Sequence, residues 1–192
     1  MNIWVATKNA HKVEEISKIL APIVVKSFFD LNNPPDVEEN GASYEENALL
    51  KARALFEIVK EPVMADDSGL EVDALNGAPG IYSARFAGTP VDHNKNINKL
   101  LEDLKELPSE KRTARFRCII VYIDATGKSH EFSGTLEGII ANKRTGKAGF
   151  GYDPVFWLPK NNCSVAELTD IEKNTISHRS RALQKFIKFI KG

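Results

Sequence analysis

The chain has 192 residues, 42% of them hydrophobic, which is enough for one domain that buries roughly 70% of its unfolded surface and needs no staple. Lysine plus arginine equals aspartate plus glutamate at 26 each, so there is no global attraction for nucleic acid or an anionic membrane, and any anion must be recognised locally. Cys118 and Cys163 carry no CxxC or metal-ligand spacing and read as reduced thiols; with no secretory leader pattern and no membrane-spanning apolar run, a cytoplasmic protein is expected.

Ile3 to Ala6 reads as a short buried strand that ends in Thr7-Lys8-Asn9, and Val13, Ile16, Ile19 and Leu20 then fall on one helical stripe. Ile23 to Ser27 is a second strand, followed by a loop with Pro34, Pro35 and Gly41. Ser43 and Glu46 have capping-box spacing, and Leu49, Ala52, Phe56 and Val59 are expected to form the apolar face of the helix they open. Pro62 ends that helix. Val63 to Ala65 forms a brief strand that places Asp66-Asp67-Ser68-Gly69 at its end. Gly77-Ala78-Pro79-Gly80 is a turn, and Ile97, Leu100, Leu101 and Leu104 mark a helix capped near Asp92. Arg115 to Asp124 and Ser129 to Ala141 are predicted to pair as a long hairpin, and Leu183, Phe186, Ile187 and Ile190 give a last amphipathic helix. Strand-helix units combined with one hairpin indicate an α/β fold with a mixed sheet.

Three segments offer chemistry. Thr7-Lys8-Asn9-Ala10-His11-Lys12 leads from a strand into a helix, where open backbone N–H groups and the positive helix end suit a phosphate; the same letters also read as a solvated helix start. Glu38 and Glu39 in the early loop, with Asp66 and Asp67, could hold a cation such as magnesium, or could be solvated turn charge. Lys51 shares a helix face with Asn47 and could reach into a cleft, although an exposed lysine fits that spacing equally. Phe150-Gly151-Tyr152-Asp153-Pro154, with Lys173 and Ser177-His178-Arg179 further on, combines glycines with aromatics as a planar base requires, or forms a turn over core aromatics.

Together the pieces resemble the inosine triphosphate pyrophosphatase family, the Ham1-like non-standard purine nucleotide pyrophosphatases. The likeness runs nearly end to end, as one domain over residues 1–192. It rests on Thr7-x-Asn9-x-x-Lys12, Glu46-Asn47-Ala48 with Lys51, Ala65-Asp66-Asp67-Ser68-Gly69-Leu70, Gly80-x-x-Ser83-Ala84-Arg85, Phe150-Gly151-Tyr152-Asp153-Pro154 and Lys173 with Ser177-His178-Arg179. The resemblance implies an elongated mixed β-sheet flanked by helices, two lobes with a central active-site cleft, and a homodimer. It implies Mg²⁺-dependent hydrolysis of ITP, dITP and XTP to the monophosphate and pyrophosphate. Thr7, Lys8, Asn9, Ala10, His11 and Lys12 would line a phosphate loop, with Lys51 as a catalytic phosphate ligand. Glu39 and Asp67 would hold the metal, Glu38 remaining the alternative to Glu39, and Asp67 would accept the proton of the attacking water. Ser68 would lie against the substrate, and Phe150, Gly151, Tyr152, Asp153, Lys173, His178 and Arg179 would form the base pocket. A related Maf-like group carries an arginine-bearing N-terminal loop where this chain has Thr7-Lys8-Asn9, and a non-catalytic nucleotide-binding module would not need Asp66 and Asp67.

Overall fold

Apolar runs become strands and amphipathic stripes become helices in the structure, a computed structural model that describes residues 2–192. The strands are β1 (Asn2–Val5), β2 (Val24–Ser27), β3 (Val63–Val72), β4 (Thr113–Ile123), β5 (Ser129–Ile140), β6 (Phe156–Leu158) and β7 (Cys163–Ser164). The helices are α1 (Ala10–Leu20), α2 (Tyr44–Val59), α3 (His93–Asp103), α4 (Asp170–Ile176) and α5 (His178–Lys191). The seven strands make one mixed sheet in the order β2-β1-β3-β4-β5-β6-β7. β1 pairs in parallel with β2, Ile3 opposite Val25, and with β3, Val5 opposite Met64; α1 and α2 supply the crossovers that parallel pairing requires. β5-β6 and β6-β7 are antiparallel. The α/β class expected from the sequence is present.

Three local expectations change. Asp66 and Asp67 do not end a brief strand; they lie inside a ten-residue β3 whose residues are nearly all buried. Charge inside such a strand is tolerated only when distant cations neutralise it, and no local pattern reveals those partners. On α2 the buried face is Tyr44, Ala48, Ala52 and Leu55 together with the polar Asn47 and Lys51, while Leu49, Phe56 and Val59 are only partly buried. Ser43 does cap α2, its hydroxyl accepting from the Glu46 N–H at 3.2 Å, but the Glu46 carboxylate accepts from the Ala42 N–H at 2.7 Å instead of closing a box on Ser43.

The chain groups into two compact units. The first holds the chain through Asp67, with Cys118–Gly134 and His178–Gly192; the second holds Ser68–Arg117 and Thr135–Ser177. In the first, Ile3, Val5, Ile16, Met64, Cys118, Ile120, Leu183 and Phe186 pack α1 and α5 onto the strands. In the second, Leu70, Val72, Leu100, Leu104, Phe116, Phe156 and Leu158 are the core, with the Phe116 and Phe156 rings stacked at 4.3 Å. Each such side chain contributes about 1.5–3 kcal/mol when fully buried. No helix among the described residues is long and apolar enough to cross a membrane.

Candidate active site

In the first unit, the Asn9 side chain caps α1 by accepting from the N–H groups of His11 at 3.0 Å and Lys12 at 3.3 Å, and its own N–H donates to the Thr7 hydroxyl at 3.1 Å. The open amides expected at His11 and Lys12 are therefore taken by the cap. The cations remain. Lys8 is half exposed and its ammonium pairs with the exposed Asp36 at 2.8 Å, a pairing weak enough to yield to a better anion. Lys12 turns inward, its Nζ 3.1 Å from Asp66 Oδ2.

Asp66 is fully buried and also receives Arg179, whose Nε and Nη2 donate to Oδ2 at 3.2 and 3.0 Å. The Arg179 Nη1 donates to Glu15 on α1. Burial alone would raise the Asp66 carboxyl, but Lys12, Arg179 and Lys51 hold it well below the usual carboxylate range. Burial likewise opposes the Arg179 charge, and Asp66 with Glu15 more than restores it. One strand residue thus joins α1 to α5 through charge. Glu15 escaped the sequence reading because Glu14-Glu15 looks like solvated helix charge; its signal is the i, i+3 spacing from Lys12, which puts both on the face that meets Arg179.

Beside it, Asp67 is 6% exposed and accepts from Lys51 Nζ at 3.0 Å, and the same Nζ donates to Glu39 Oε1 at 3.2 Å. Glu39 is therefore the early-loop acid brought to this point, and Glu38 is exposed. The loop is fixed by Asn47, whose side-chain carbonyl accepts from the Gly41 N–H at 2.9 Å. A Cβ at Gly41 would lie 2.7 Å from Glu46 Cβ and 2.8 Å from that Asn47 oxygen, so glycine is required for the approach. Burial raises the Asp67 pKa despite Lys51 and Lys12, with Glu39 adding to the rise. For Lys51 burial works against the charge, but Asp67, Glu39 and Asp66 together hold the ammonium above its ordinary pKa. Two carboxylates converging on one cation are a suitable donor set for magnesium, which takes one or two carboxylates and completes its shell with water and phosphate oxygens. Among the described residues no group of three or more His, Cys, Asp or Glu is arranged to hold a metal, and magnesium of this kind does not call for one. His178, at the start of α5, is also buried in this unit.

The second unit builds a separate assembly. The buried Asp153 accepts, through Oδ2, from the Phe150 N–H at 2.9 Å and from Lys173 Nζ at 2.8 Å. That Nζ lies 4.8 Å from the centroid of the Phe150 ring, within cation–π range. Lys173 is held on α4, whose start is closed by a capping box between Thr169 and Glu172. Gly149 has φ +75°, and a Cβ there would meet Asp153 Oδ2 at 2.1 Å, so this turn admits only glycine. Tyr152 points elsewhere: it is buried among the core residues and its hydroxyl donates to the Ser83 carbonyl at 2.9 Å, with burial pushing the phenol pKa up. Gly151 supplies a turn at φ +61°, and Ser68 stands partly buried at the head of this unit's share of β3.

The Ham1 family model matches residues 3–189. A Halalkalibacterium halodurans protein called dITP/XTP pyrophosphatase is 47% identical over 193 residues, covering 99% of this chain and 100% of its own. A protein of the same name from Bacillus cereus is 49% identical over 187 residues, covering 95% of this chain and 91% of its own. The solved structure of the Staphylococcus aureus Ham1 protein matches with a TM-score of 0.89 at 41% identity, over 100% of this chain and 99% of that one.

Proposed function

The chain belongs to the Ham1 family, and we infer from this that it is a nucleoside-triphosphate pyrophosphatase that hydrolyses non-standard purine nucleotides such as dITP, ITP and XTP to the monophosphate and pyrophosphate. The observation that carries the chemistry is the convergence of Asp67 and Glu39 on Lys51 Nζ, at 3.0 and 3.2 Å, beside a buried Asp66 already neutralised by Lys12 and Arg179.

Glu39 and Asp67 would hold Mg²⁺, which when bound supplies charge neutralisation at the phosphates and a more acidic water. Asp67 takes the proton of the attacking water; burial, by raising its pKa, makes it a stronger base than an exposed aspartate. Lys51 stays protonated and stabilises the charge that builds on the departing pyrophosphate. Thr7, Lys8, Asn9, Ala10, His11 and Lys12 line the polyphosphate, Lys8 being the cation with the weakest prior commitment. Phe150 offers a ring for stacking, Gly151 a close approach, and Lys173 a donor for the 6-oxo group that hypoxanthine and xanthine carry and adenine lacks. Asp153 sets both Phe150 and Lys173, and Tyr152 anchors their turn to the core. Ser68, His178 and Arg179 belong to the substrate contacts by resemblance. A 6-amino group would leave the buried donors unpaired, a mismatch that supports discrimination on the order of 10⁴-fold. A homodimer, a cytoplasmic setting and a nucleotide substrate with no nucleic-acid or membrane partner complete the proposal.

The test is a panel of dITP, ITP, XTP, GTP and ATP with separate readouts for pyrophosphate and orthophosphate, on the wild type and on Asp67→Asn. Mg²⁺-dependent pyrophosphate release that favours dITP, ITP and XTP, and falls by about 10²-fold or more in Asp67→Asn, is the expected result. Orthophosphate as product, or an Asp67→Asn variant with near wild-type turnover, overturns it.

A further inference from the structure

Gly134 lies in β5, is buried, and has no φ in the left-handed region, so its backbone does not need glycine. Its surroundings do. A Cβ at this position would lie 2.0 Å from the carbonyl oxygen of His178, 2.6 Å from the amide nitrogen of Ala182 and 3.0 Å from Arg181 Cβ. Two of these are backbone atoms of the first turns of α5 and cannot swing aside. A glycine inside a strand marks such a close backbone approach. One residue away, Lys185 Nζ donates to the Ser133 carbonyl at 2.6 Å and clamps the next part of α5 to the same strand. On either side of the clamp, Ala182, Leu183 and Phe186 pack with Cys118 and Tyr122.

What this seat delivers is Arg179. Arg179 is buried and reaches Asp66 at 3.0 and 3.2 Å, a fit that permits little displacement, since such bonds weaken steeply with distance and angle. A methyl group at Gly134 forces the first turn of α5 outward by roughly 1 Å or more, because non-bonded heavy atoms settle at about 3.5–4 Å. That is enough to break the hold of Arg179 on Asp66. Asp66 is the strand neighbour of Asp67, and Lys12, which also pairs with Asp66, would then draw it towards α1.

We propose that Gly134 is a positioning residue for the reaction: by letting α5 lie directly on β5 it sets Arg179 on Asp66, and through that link it fixes the β3 backbone that presents Asp67. The inference rests on the reading of Asp67 as metal ligand and proton acceptor.

The experiment compares Gly134→Ala and Lys185→Met with the wild type, and includes Asp67→Asn. Steady-state kinetics with dITP across a Mg²⁺ titration separate kcat, KM and the Mg²⁺ half-saturation. A readout free of metal and substrate is the labelling rate of Cys118, followed by peptide mass spectrometry; this thiol is buried under α5, and burial pushes its pKa up to about 12. Gly134→Ala is expected to lower kcat tenfold or more and to raise the Mg²⁺ half-saturation severalfold, with KM for dITP within about twofold and Cys118 labelled at least tenfold faster. Lys185→Met, a surface change that keeps the glycine, should move the same quantities the same way by two- to threefold, and it decides the matter if Gly134→Ala does not fold. Unchanged kcat and Mg²⁺ half-saturation in a folded variant, with or without faster labelling, overturns the inference while Asp67→Asn stays inactive. An active Asp67→Asn instead overturns the reading of Asp67 and the inference with it.

Discussion

Arg179→Met tests whether the buried charge network is structural, and its magnitude can be worked from the contacts. The arginine side chain is 2% exposed and its partner Asp66 is 0% exposed, so neither charge can rehydrate when the other is removed. Breaking a buried pair costs about 3–5 kcal/mol because an uncompensated charge is left behind. Here Lys12 remains 3.1 Å from Asp66, and Glu15, on the other side, is 15% exposed and can recover some water. Both facts place the loss at the low end, about 3 kcal/mol, which for a domain of this length lowers Tm by about 6–12 °C. Urea and thermal unfolding at pH 7 in metal-free buffer measure it. The paired change Arg179→Met with Asp66→Asn should recover a good part of the loss, since the orphaned carboxylate is gone. A loss below about 1 kcal/mol, or strict additivity of the two changes, would refute a buried network held by charge. The same proteins address the base: if Arg179 also reads the 6-oxo group, Arg179→Met lowers the dITP-to-dATP ratio of kcat/KM and Asp66→Asn does not.

Lys51→Met leaves Glu39 and Asp67 without their shared cation and should lower kcat about 10²-fold while Mg²⁺ binding without nucleotide, followed by calorimetry, is not weakened; retained turnover would remove Lys51 from the chemistry. Asp153→Asn loosens both Lys173 and the Phe150 turn, and should cut kcat/KM for dITP about tenfold with the dITP-to-dATP ratio falling alongside, a steady-state comparison in which an unchanged ratio counts against a base-reading shelf. Acid stability should follow Asp66: its carboxyl is held below the usual range when folded, so its contribution is complete above the unfolded value near pH 4 and is lost as pH falls further through the folded value. Urea midpoints between pH 6 and pH 2 should therefore decline less steeply below pH 4 in Asp66→Asn than in wild type; equal slopes would contradict it.

The sequence by itself determined the features that depend on neighbours a few residues away. The cap at Ser43, the buried Ile16 and Leu20 stripe of α1, the hairpin turn at Asp124–Lys128 and the apolar face of α5 all follow from periodicity and capping, which are properties of a short segment. Motif order along the chain likewise sufficed for the family. Tertiary structure decided what depends on partners far along the chain. Asp66 and Asp67 look like a strand end because a local reading counts their charge as a cost; Arg179, 113 residues away, and Lys12 remove that cost and let β3 continue through them. Glu38 and Glu39 have equivalent local surroundings, and only the closure of Gly41 onto Asn47 turns one of them to Lys51. In the Phe150–Asp153 turn, four adjacent residues of similar promise separate into a ring, a hinge, a core anchor and a clamp, because Ser83 and Lys173 reach them from distant segments. Local physics fixes which element forms and which face is apolar; the pairing of charges across the interior is a long-range property, and it selects which polar residues are available for chemistry.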